Sequence, residues 1–520
     1  MRTLVAGSLG AAFGLFAFAI AAGLTGSFAA AFAIAAVAAG LVTWICRARA
    51  LAWLDESAGS RGLAVLAAVA TIVALVQLGR LTVYMVDAGK PAYSTVPSSD
   101  WEIRHSCLTA YFVAARAAGS GSNVYADSLY TSPDDDPTAV RKALTLGRFK
   151  IDVYEYPPPF LLLPRALRAV APEFDRLRMV WFGLNGAAVL VAILVLVRSM
   201  GAAARTRALL LSPLVWAALP TLSTLQKGNV QALIIALSVI AMALFERRRW
   251  AGGGLLLAYA IGSKLYPGLL VVYLLLHRRW QAVVWTAAFC LALAVLAATD
   301  MGLATYGTFA DHFPGLLSGE AFPAFRNPMA TAINFSVPGL VFKLKLFGVP
   351  GMGFAAAKLV GWIYTLVALG VIVAVTRRAV PAERRPLVWL AIIILATLRS
   401  PFLPQAYASF PALVLLVLLG AMLPPTARNL VGILVTWLAL GFMWPTDWRM
   451  DPRLLALASG VPQLLTIAVA IVALRWAGKA EGGEGESQAR DHSEAVVENG
   501  LARHAGDAAM GGDNGGGTRI

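Results

Sequence analysis

Long apolar runs alternate with shorter polar intervals along most of the chain. A membrane helix needs roughly 20 apolar residues to cross a hydrocarbon core about 30 Å thick. The pattern predicts an all-α polytopic membrane protein with about fourteen spans, of which the two between 250 and 276 are short enough to be tilted or to cross only partly. The predicted spans lie at residues 4–23, 29–46, 63–84, 179–198, 206–222, 229–245, 250–263, 267–276, 281–299, 354–376, 387–398, 407–422, 429–442 and 461–474.

Two polar intervals, 87–177 and 300–353, are too long to be simple turns between spans. Within the first interval, 109–118 and 160–171 have apolar residues at helical spacing, which predicts amphipathic helices in a long external loop. Three consecutive prolines at 157–159, in the stretch YEYPPPF, predict a rigid extended segment between them.

Composition supports the membrane assignment and excludes an ordinary soluble domain. The chain is 59% hydrophobic and 14% charged, with a mean hydropathy of +0.71. Its net charge of +15 comes from short Lys and Arg clusters between apolar runs, which is the positive-inside pattern. Membrane lipids with anionic headgroups, rather than nucleic acid, are therefore the expected partners.

The basic clusters also predict the orientation and the domain organisation. They fall on one side of the predicted bundle, which places both termini in the cytoplasm and the 87–177 loop outside. We predict two additional N-terminal spans with their cytoplasmic loop at 1–62 and the main membrane domain at 63–477. Residues 478–520, rich in glycine and acidic residues, are predicted to form a disordered cytoplasmic tail.

Motifs for metals and soluble cofactors are absent from the sequence. Cys46, Cys107 and Cys290 show no paired spacing, which indicates neither a disulfide framework nor a metal site. The chain also lacks a phosphate-binding Walker loop, a dinucleotide fingerprint and an HExxH motif. We therefore predict no metal and no other cofactor.

Acidic residues soon after the third span are candidates for proton transfer. A carboxylate just outside the bilayer could take the proton from an alcohol as a new bond forms. Asp100 is the first candidate, Glu102 the alternative and Asp87 a third, while a solvated loop carboxylate remains the simpler interpretation of each. His105, beside them, is a candidate for substrate binding.

Cations and hydrogen-bonding side chains near the external ends of spans form a second set of candidates. Lys264 lies within an apolar stretch, and a charge near membrane depth is costly and usually faces a cavity. Lys227 and Arg399 could bind phosphate as well, or could reach lipid headgroups instead. The remaining candidates for substrate contact, several of which could equally stabilise loops, are Tyr156, Asn229, Tyr266, Asn327, Asn334 and Gln405.

The order of these motifs resembles glycosyltransferase family 87, of the C-type superfamily. The motifs are Asp100, YFVAARAA at 111–118, NVY at 123–125, YEYPPPF at 154–160, QKGNVQ at 226–231 and SKLYP at 263–267. The resemblance covers roughly 63–474 and implies a C-type multi-span bundle with an essential aspartate in its first large external loop. Asp100 best matches that aspartate, and Lys264 matches a lysine that precedes Tyr-Pro in the family.

The resemblance implies an inverting membrane glycosyltransferase. Its donor would be a polyprenyl-phosphate sugar, with mannose as the first choice, and its acceptor a lipid-linked or envelope glycan. The reaction would take place on the external face of a bacterial cytoplasmic membrane. A transporter or flippase of lipid-linked sugars is the alternative, since it would use the same spans and membrane charges; the long external loop favours an enzyme.

Overall fold

Helices dominate the computed structural model, which describes residues 2–50, 59–132, 142–443 and 450–478. The predicted tail from residue 479 onward lies outside these ranges, as do 51–58 and 133–141 of the predicted loops. The helices of the described residues are α1 (Arg2–Thr25), α2 (Phe28–Ile45), α3 (Arg61–Val86), α4 (Asp100–Arg104), α5 (Leu108–Gly119), α6 (Leu162–Val170), α7 (Phe174–Arg198), α8 (Ala202–Leu211), α9 (Pro213–Ala217), α10 (Leu219–Lys227), α11 (Gln231–Glu246), α12 (Trp250–Ser263), α13 (Gly268–Leu276), α14 (Trp280–Met301), α15 (Ala304–Ser318), α16 (Pro328–Ala332), α17 (Gly339–Leu346), α18 (Phe354–Thr376), α19 (Arg385–Thr397), α20 (Gln405–Met422), α21 (Ala427–Gly441) and α22 (Pro452–Ala477).

Eight of these helices are long and apolar enough to cross a membrane, which supports the predicted all-α polytopic architecture. They are α1, α2, α3, α7, α14, α18, α20 and α22. A ninth span results if α8 and α9 are joined with α10 across a bend of 60°. The predicted number of about fourteen is not confirmed, because several predicted runs form helices too short to cross alone, such as α12 with 14 residues and α13 with 9.

The first two helices form a hairpin that packs on the rest of the bundle. Ser27 begins α2 by accepting a hydrogen bond from the backbone N–H of Ala30. Helix α1 then lies against α7, where Phe16 is fully buried and its ring contacts Phe182 edge-on with centroids 5.7 Å apart. Gly186 allows this approach, since a Cβ there would lie only 2.2 Å from Phe16 Cε1.

The first polar interval folds into three helices and a small sheet. Strand β1 (His105–Ser106) runs parallel to β3 (Phe149–Ile151), and β2 (Thr145–Leu146) runs antiparallel to β3 on its other side. Helix α5 is buried on almost every side, so it is a core helix and not the interfacial helix that its spacing suggested.

The proline segment also differs from its prediction. Only Pro157 is extended, with φ of −59° and ψ of 154°, and a buried 3-10 turn follows at Pro158–Leu161. Proline suits the start of such a turn because the N–H groups there have no partner within the turn. The turn packs against α12 and α14, so it fixes the preceding tyrosines relative to the membrane helices.

The α1–α7 contact leads to a stability prediction. We expect Gly186→Ala to reduce the free energy of unfolding by roughly 1–3 kcal/mol, because Phe16 is enclosed and cannot move away from the added methyl group. The measurement is thermal unfolding of the detergent-solubilised protein. Gly370→Ala in α18 is the matched control, since no atom lies within 4 Å of its Cβ position. A Gly186→Ala protein with wild-type stability would show that the helices do not meet in this way.

Candidate functional site

The polar loop meets the membrane helices at the turn between α10 and α11. Gly228 makes this turn in the left-handed region, with φ of 66°, which side-chain-bearing residues rarely adopt. The backbone N–H of Cys107 donates to the Lys227 carbonyl at 2.8 Å, and the Trp181 indole donates to the Gly228 carbonyl at 2.8 Å. The beginning of α5 is thereby held against the beginning of α11.

A buried ion pair also joins the polar loop, at α4, to the end of α10. Lys227 Nζ lies 2.6 Å from Glu102 Oε1, and the side chains are only 6% and 5% exposed. Ser223 donates to the other carboxylate oxygen at 3.0 Å, and the Gln226 amide donates to the Glu102 carbonyl at 2.6 Å. Glu102 was predicted as an alternative base and Lys227 as a phosphate ligand, but each satisfies the charge of the other. Their arrangement favours a role in holding the loop on the bundle.

His105 and Asp152 form a second pair, brought together by the parallel strands β1 and β3. His105 Nδ1 lies 3.3 Å from Asp152 Oδ1, with side-chain exposures of 11% and 31%. Trp101 stacks on the imidazole with ring centroids 4.2 Å apart. Burial lowers the pKa of His105, but the Asp152 carboxylate more than offsets this and raises the pKa to about 10. The imidazole therefore carries a proton at neutral pH.

Lys264 lies in the break between α12 and α13, close to the beginning of α11. Its Nζ donates to Gln231 Oε1 at 3.2 Å and lies 5.6 Å from the centroid of the Tyr156 ring. Within the described residues, Gln231 Nε2 and the Tyr266 hydroxyl are buried and have no hydrogen-bond partner. Buried polar atoms are normally satisfied, so these two are available to a ligand.

Hydrogen bonds and close contacts connect Lys264 to Asp152. The Gln231 backbone N–H donates to Asn229 Oδ1 at 2.9 Å, and Asn229 Nδ2 donates to Cys107 Sγ at 3.3 Å. Cys107 Sγ lies 3.7 Å from His105 Nε2, and the ion pair with Asp152 follows. We call this set, with the two tyrosines that adjoin it, the polar network: His105, Cys107, Tyr111, Asp152, Tyr156, Asn229, Gln231 and Lys264.

Aromatic side chains position Tyr156 and the neighbouring Glu155. The Tyr111 hydroxyl donates to that of Tyr156 at 3.0 Å, and the Tyr125 hydroxyl donates to the Tyr156 carbonyl at 2.8 Å. The ring of Tyr111 also meets the edge of Phe160 at 4.7 Å. Glu155 is thus held on a rigid segment. The charges of Asp152 and Lys264 both influence the pKa of its carboxyl group.

Three members of this region offer donor atoms suited to a metal ion. Among the described residues, His105, Cys107 and Asp152 each place one such atom within 4.8 Å of the others. Nitrogen, sulfur and carboxylate oxygen together are a donor set that zinc accepts. However, the short contacts use different nitrogens of His105, Nδ1 toward Asp152 and Nε2 toward Cys107. The absence of a metal stays a prediction.

Three further predicted site residues, Asp100, Asn327 and Gln405, are not part of the polar network and make other contacts. Asp100 begins α4 with a side chain that is 64% exposed and a carboxylate 3.9 Å from Arg104. Asn327 accepts a hydrogen bond from the Met329 backbone N–H at the beginning of α16. Gln405 donates to the Phe442 carbonyl at 2.6 Å.

Two further predicted residues order the segment between α19 and α20. Asn334 is buried, donates to the Pro401 carbonyl and accepts from the Leu403 backbone N–H, so it fixes this segment. Arg399 Nε donates to Thr365 Oγ1 at 2.8 Å, and its guanidinium lies over the Trp362 ring. These contacts support the structural interpretation for Asn334 and leave a phosphate-binding role of Arg399 as a prediction.

Asp152, Cys107 and Gln231 belong to the network although they were not among the predicted site residues. Asp152 has a sequence signal only in retrospect, since it lies two positions before the YEYPPPF stretch and follows a strand too short to show alternation. Cys107 was set aside because the three cysteines show no paired spacing. Gln231 is the last residue of the QKGNVQ motif, which pointed to the correct segment.

The buried ion pair leads to a second stability prediction. We expect Glu102→Gln to reduce the free energy of unfolding by about 3–5 kcal/mol, because Lys227 would keep a buried, uncompensated charge. The double variant Glu102→Gln/Lys227→Met removes that charge and should lose less stability than the single variant. The measurement is thermal unfolding in detergent. The exposed pair of Asp87 and Lys90, 3.5 Å apart, provides the control: Asp87→Asn should cost at most about 1 kcal/mol. Equal losses in the single and double variants would contradict this account.

Comparison with known proteins agrees with the motifs. Residues 154–403 match glycosyltransferase family 87. The polyprenol-phosphate-mannose-dependent alpha-(1-2)-phosphatidylinositol pentamannoside mannosyltransferase of Mycobacterium tuberculosis (strain CDC 1551 / Oshkosh) is 29% identical over 199 residues, 36% of this chain and 43% of that protein. The chain thus spans less than half of the length of this relative. No solved structure matches the chain.

The matched region contains much of the polar network. Tyr156, Asn229, Gln231 and Lys264 lie within it, together with Glu155, whereas β1 and α5 precede it. The family match therefore covers the part of the candidate site that comes from the YEYPPPF stretch and from the ends of the membrane helices. The resemblance indicated by the sequence motifs is thus confirmed for residues 154–403 of this integral membrane protein, which match glycosyltransferase family 87.

Proposed function

We propose that the protein is an inverting membrane hexosyltransferase. It transfers a sugar, with mannose as the first choice, from a polyprenyl-phosphate donor to a lipid-linked or envelope glycan. The family match, the donor named for the mycobacterial relative and the eight candidate spans support this proposal. The observation that carries it is the polar network, which connects Lys264 at the break between two membrane helices with the loop carboxylate Asp152, and which includes Tyr156 next to Glu155.

Glu155 is the proposed base of the reaction. Burial and the neighbouring Asp152 raise the pKa of Glu155 to about 8, although Lys264 acts in the opposite direction. A carboxyl group with this pKa exchanges its proton near neutral pH, as general acid–base catalysis requires. Asp100, which the family resemblance favours, is the alternative base; its exposed position at the beginning of α4 supports it less well.

The cations of the network suit the leaving phosphate. The acceptor hydroxyl oxygen attacks the anomeric carbon while its proton passes to Glu155. The bond from that carbon to the phosphate oxygen breaks, and its electron pair stays on the polyprenyl phosphate. Lys264 and the protonated His105 stabilise the added negative charge, since preorganised cations act most strongly away from water. A single displacement of this kind inverts the anomeric configuration.

The distribution of charge supports an external active site in a bacterial cytoplasmic membrane. Helix α11 begins in the polar network at Gln231 and ends at Glu246, directly before the arginines of 247–249. Helix α13 begins after Lys264 and likewise ends before arginines. The basic ends are proposed to face the cytoplasm, together with both termini.

A comparison of carboxylate variants tests which group is the base. We expect Glu155→Gln to reduce transfer by about 10²–10⁴-fold, because no other group would accept the acceptor proton as effectively. The measurement is sugar transfer from a synthetic polyprenyl-phosphate mannose in membranes containing the variant. Glu173→Gln is the control, since this carboxylate is 69% exposed and pairs with Arg176 on the surface. Full activity of Glu155→Gln combined with inactivity of Asp100→Asn would transfer the role to Asp100.

The pH dependence provides an independent test of Glu155. Because a base acts in its deprotonated form, and the pKa of Glu155 is about 8, the rate should rise as the pH increases from about 6 toward about 8. The profile of kcat/KM for transfer would be recorded between about pH 6 and about pH 9.5. A wild-type rate that is already constant at pH 6 would contradict a raised pKa of the catalytic carboxylate.

A further inference from the structure

A cavity of about 470 Å³ lies at the opposite end of the helices that begin in the polar network. Its wall includes Glu246 at the end of α11 and His277 directly after α13. Since α11 has 16 residues, the cavity and the beginning of that helix are separated by about 24 Å. The cavity therefore takes no part in the chemistry proposed above and needs an explanation of its own.

The charged residues of the cavity wall leave it positive. Three arginines and one glutamate line it: Arg279, Arg378, Arg385 and Glu246. Glu246 is already engaged, with Arg385 Nη1 at 2.5 Å and Arg279 Nη2 at 3.6 Å from its carboxylate oxygens. Three positive charges against one negative charge leave two charges uncompensated. The guanidinium of Arg378 is exposed and makes neither a hydrogen bond nor an ion pair with any described residue.

Apolar side chains form a large part of the remaining wall, which indicates the nature of the ligand. Met242, Phe245, Leu274 and Val380 line the cavity beside the arginines. An arginine cluster binds phosphate oxygens strongly, since guanidinium donors match them in geometry and charge. A free phosphate ion would leave the apolar wall uncovered, whereas a phospholipid would cover it with its glycerol and acyl segments. Basic pockets between membrane helices bind lipid headgroups in this manner.

We propose that this cavity is a binding site for the headgroup of an anionic phospholipid. Arg378 contacts the lipid phosphate, and the ion pairs of Glu246 hold Arg279 and Arg385 at the side of the site. The ligand connects the end of α18, which precedes Arg378, with the beginning of α19, at Arg385, and with the end of α11. The site stabilises the bundle at the end distant from the polar network, and it does not depend on the proposed transferase activity.

Lipid titration followed by native mass spectrometry tests the site on the full chain in detergent. Phosphatidylglycerol is the probe, and Arg378→Ala is the variant. We expect the Kd of the tightest bound phosphatidylglycerol to rise about tenfold, because a charge-assisted contact is lost. Arg198→Ala is the matched control, since Arg198 is also an exposed arginine at the end of a membrane helix but does not line the cavity. The Kd of the Arg198→Ala protein for phosphatidylglycerol should equal that of the wild type.

A competition arm separates a lipid from a free phosphate ion as the ligand. Inorganic phosphate, added at concentrations comparable to the Kd of the lipid, should leave phosphatidylglycerol bound if the apolar wall contributes. Complete displacement at those concentrations would overturn the assignment to a lipid. Equal Kd values for the wild type and Arg378→Ala would overturn the site itself, and phosphatidylcholine bound as tightly as phosphatidylglycerol would overturn the role of charge.

Discussion

A turn between membrane helices must find hydrogen-bond partners for its own backbone, because lipid provides none. In this protein the turn between α10 and α11 obtains them from outside its own helices. The Lys227 carbonyl accepts from the Cys107 N–H, and the Gly228 carbonyl accepts from Trp181. Glu102 adds the counter-charge for the Lys227 side chain. The loop and the membrane helices thus provide hydrogen-bond partners for each other, and the polar network lies where they meet.

Apolar length was enough to predict the membrane class and most of the long helices. It did not determine the number of spans, because several apolar runs form helices too short to cross alone. The α12–α13 pair is interrupted at Lys264, whose side chain turns toward Gln231, and neither helix is long enough to span alone. The small sheet could not be predicted either, since strands of two or three residues are too short to show alternation.

Several residues of the polar network were predicted individually from the sequence, but their arrangement was not. Lys264, Tyr156 and Asn229 were predicted from their motifs and His105 from its place beside Asp100 and Glu102, and the fold connects all four. The partners of these residues come from distant segments: Asp152 reaches His105 only through the parallel pairing of β1 with β3. The sequence likewise shows two charged residues at Glu102 and Lys227, without any sign that they neutralise one another.

The last helix also holds part of the second polar interval in place. Lys343 Nζ in α17 donates to Ser459 Oγ at 2.9 Å and to Gln463 Oε1 at 2.8 Å, and Ser459 donates to the carbonyl of Ala332. These partners belong to α22, which the ribosome delivers after every other described helix. The region around Ala332 and α17 consequently depends for its hydrogen bonds on a helix that follows it by more than a hundred positions in the sequence. A chain shortened before α22 would therefore leave Lys343 without Ser459 and Gln463, the side chains to which its ammonium group donates among the described residues.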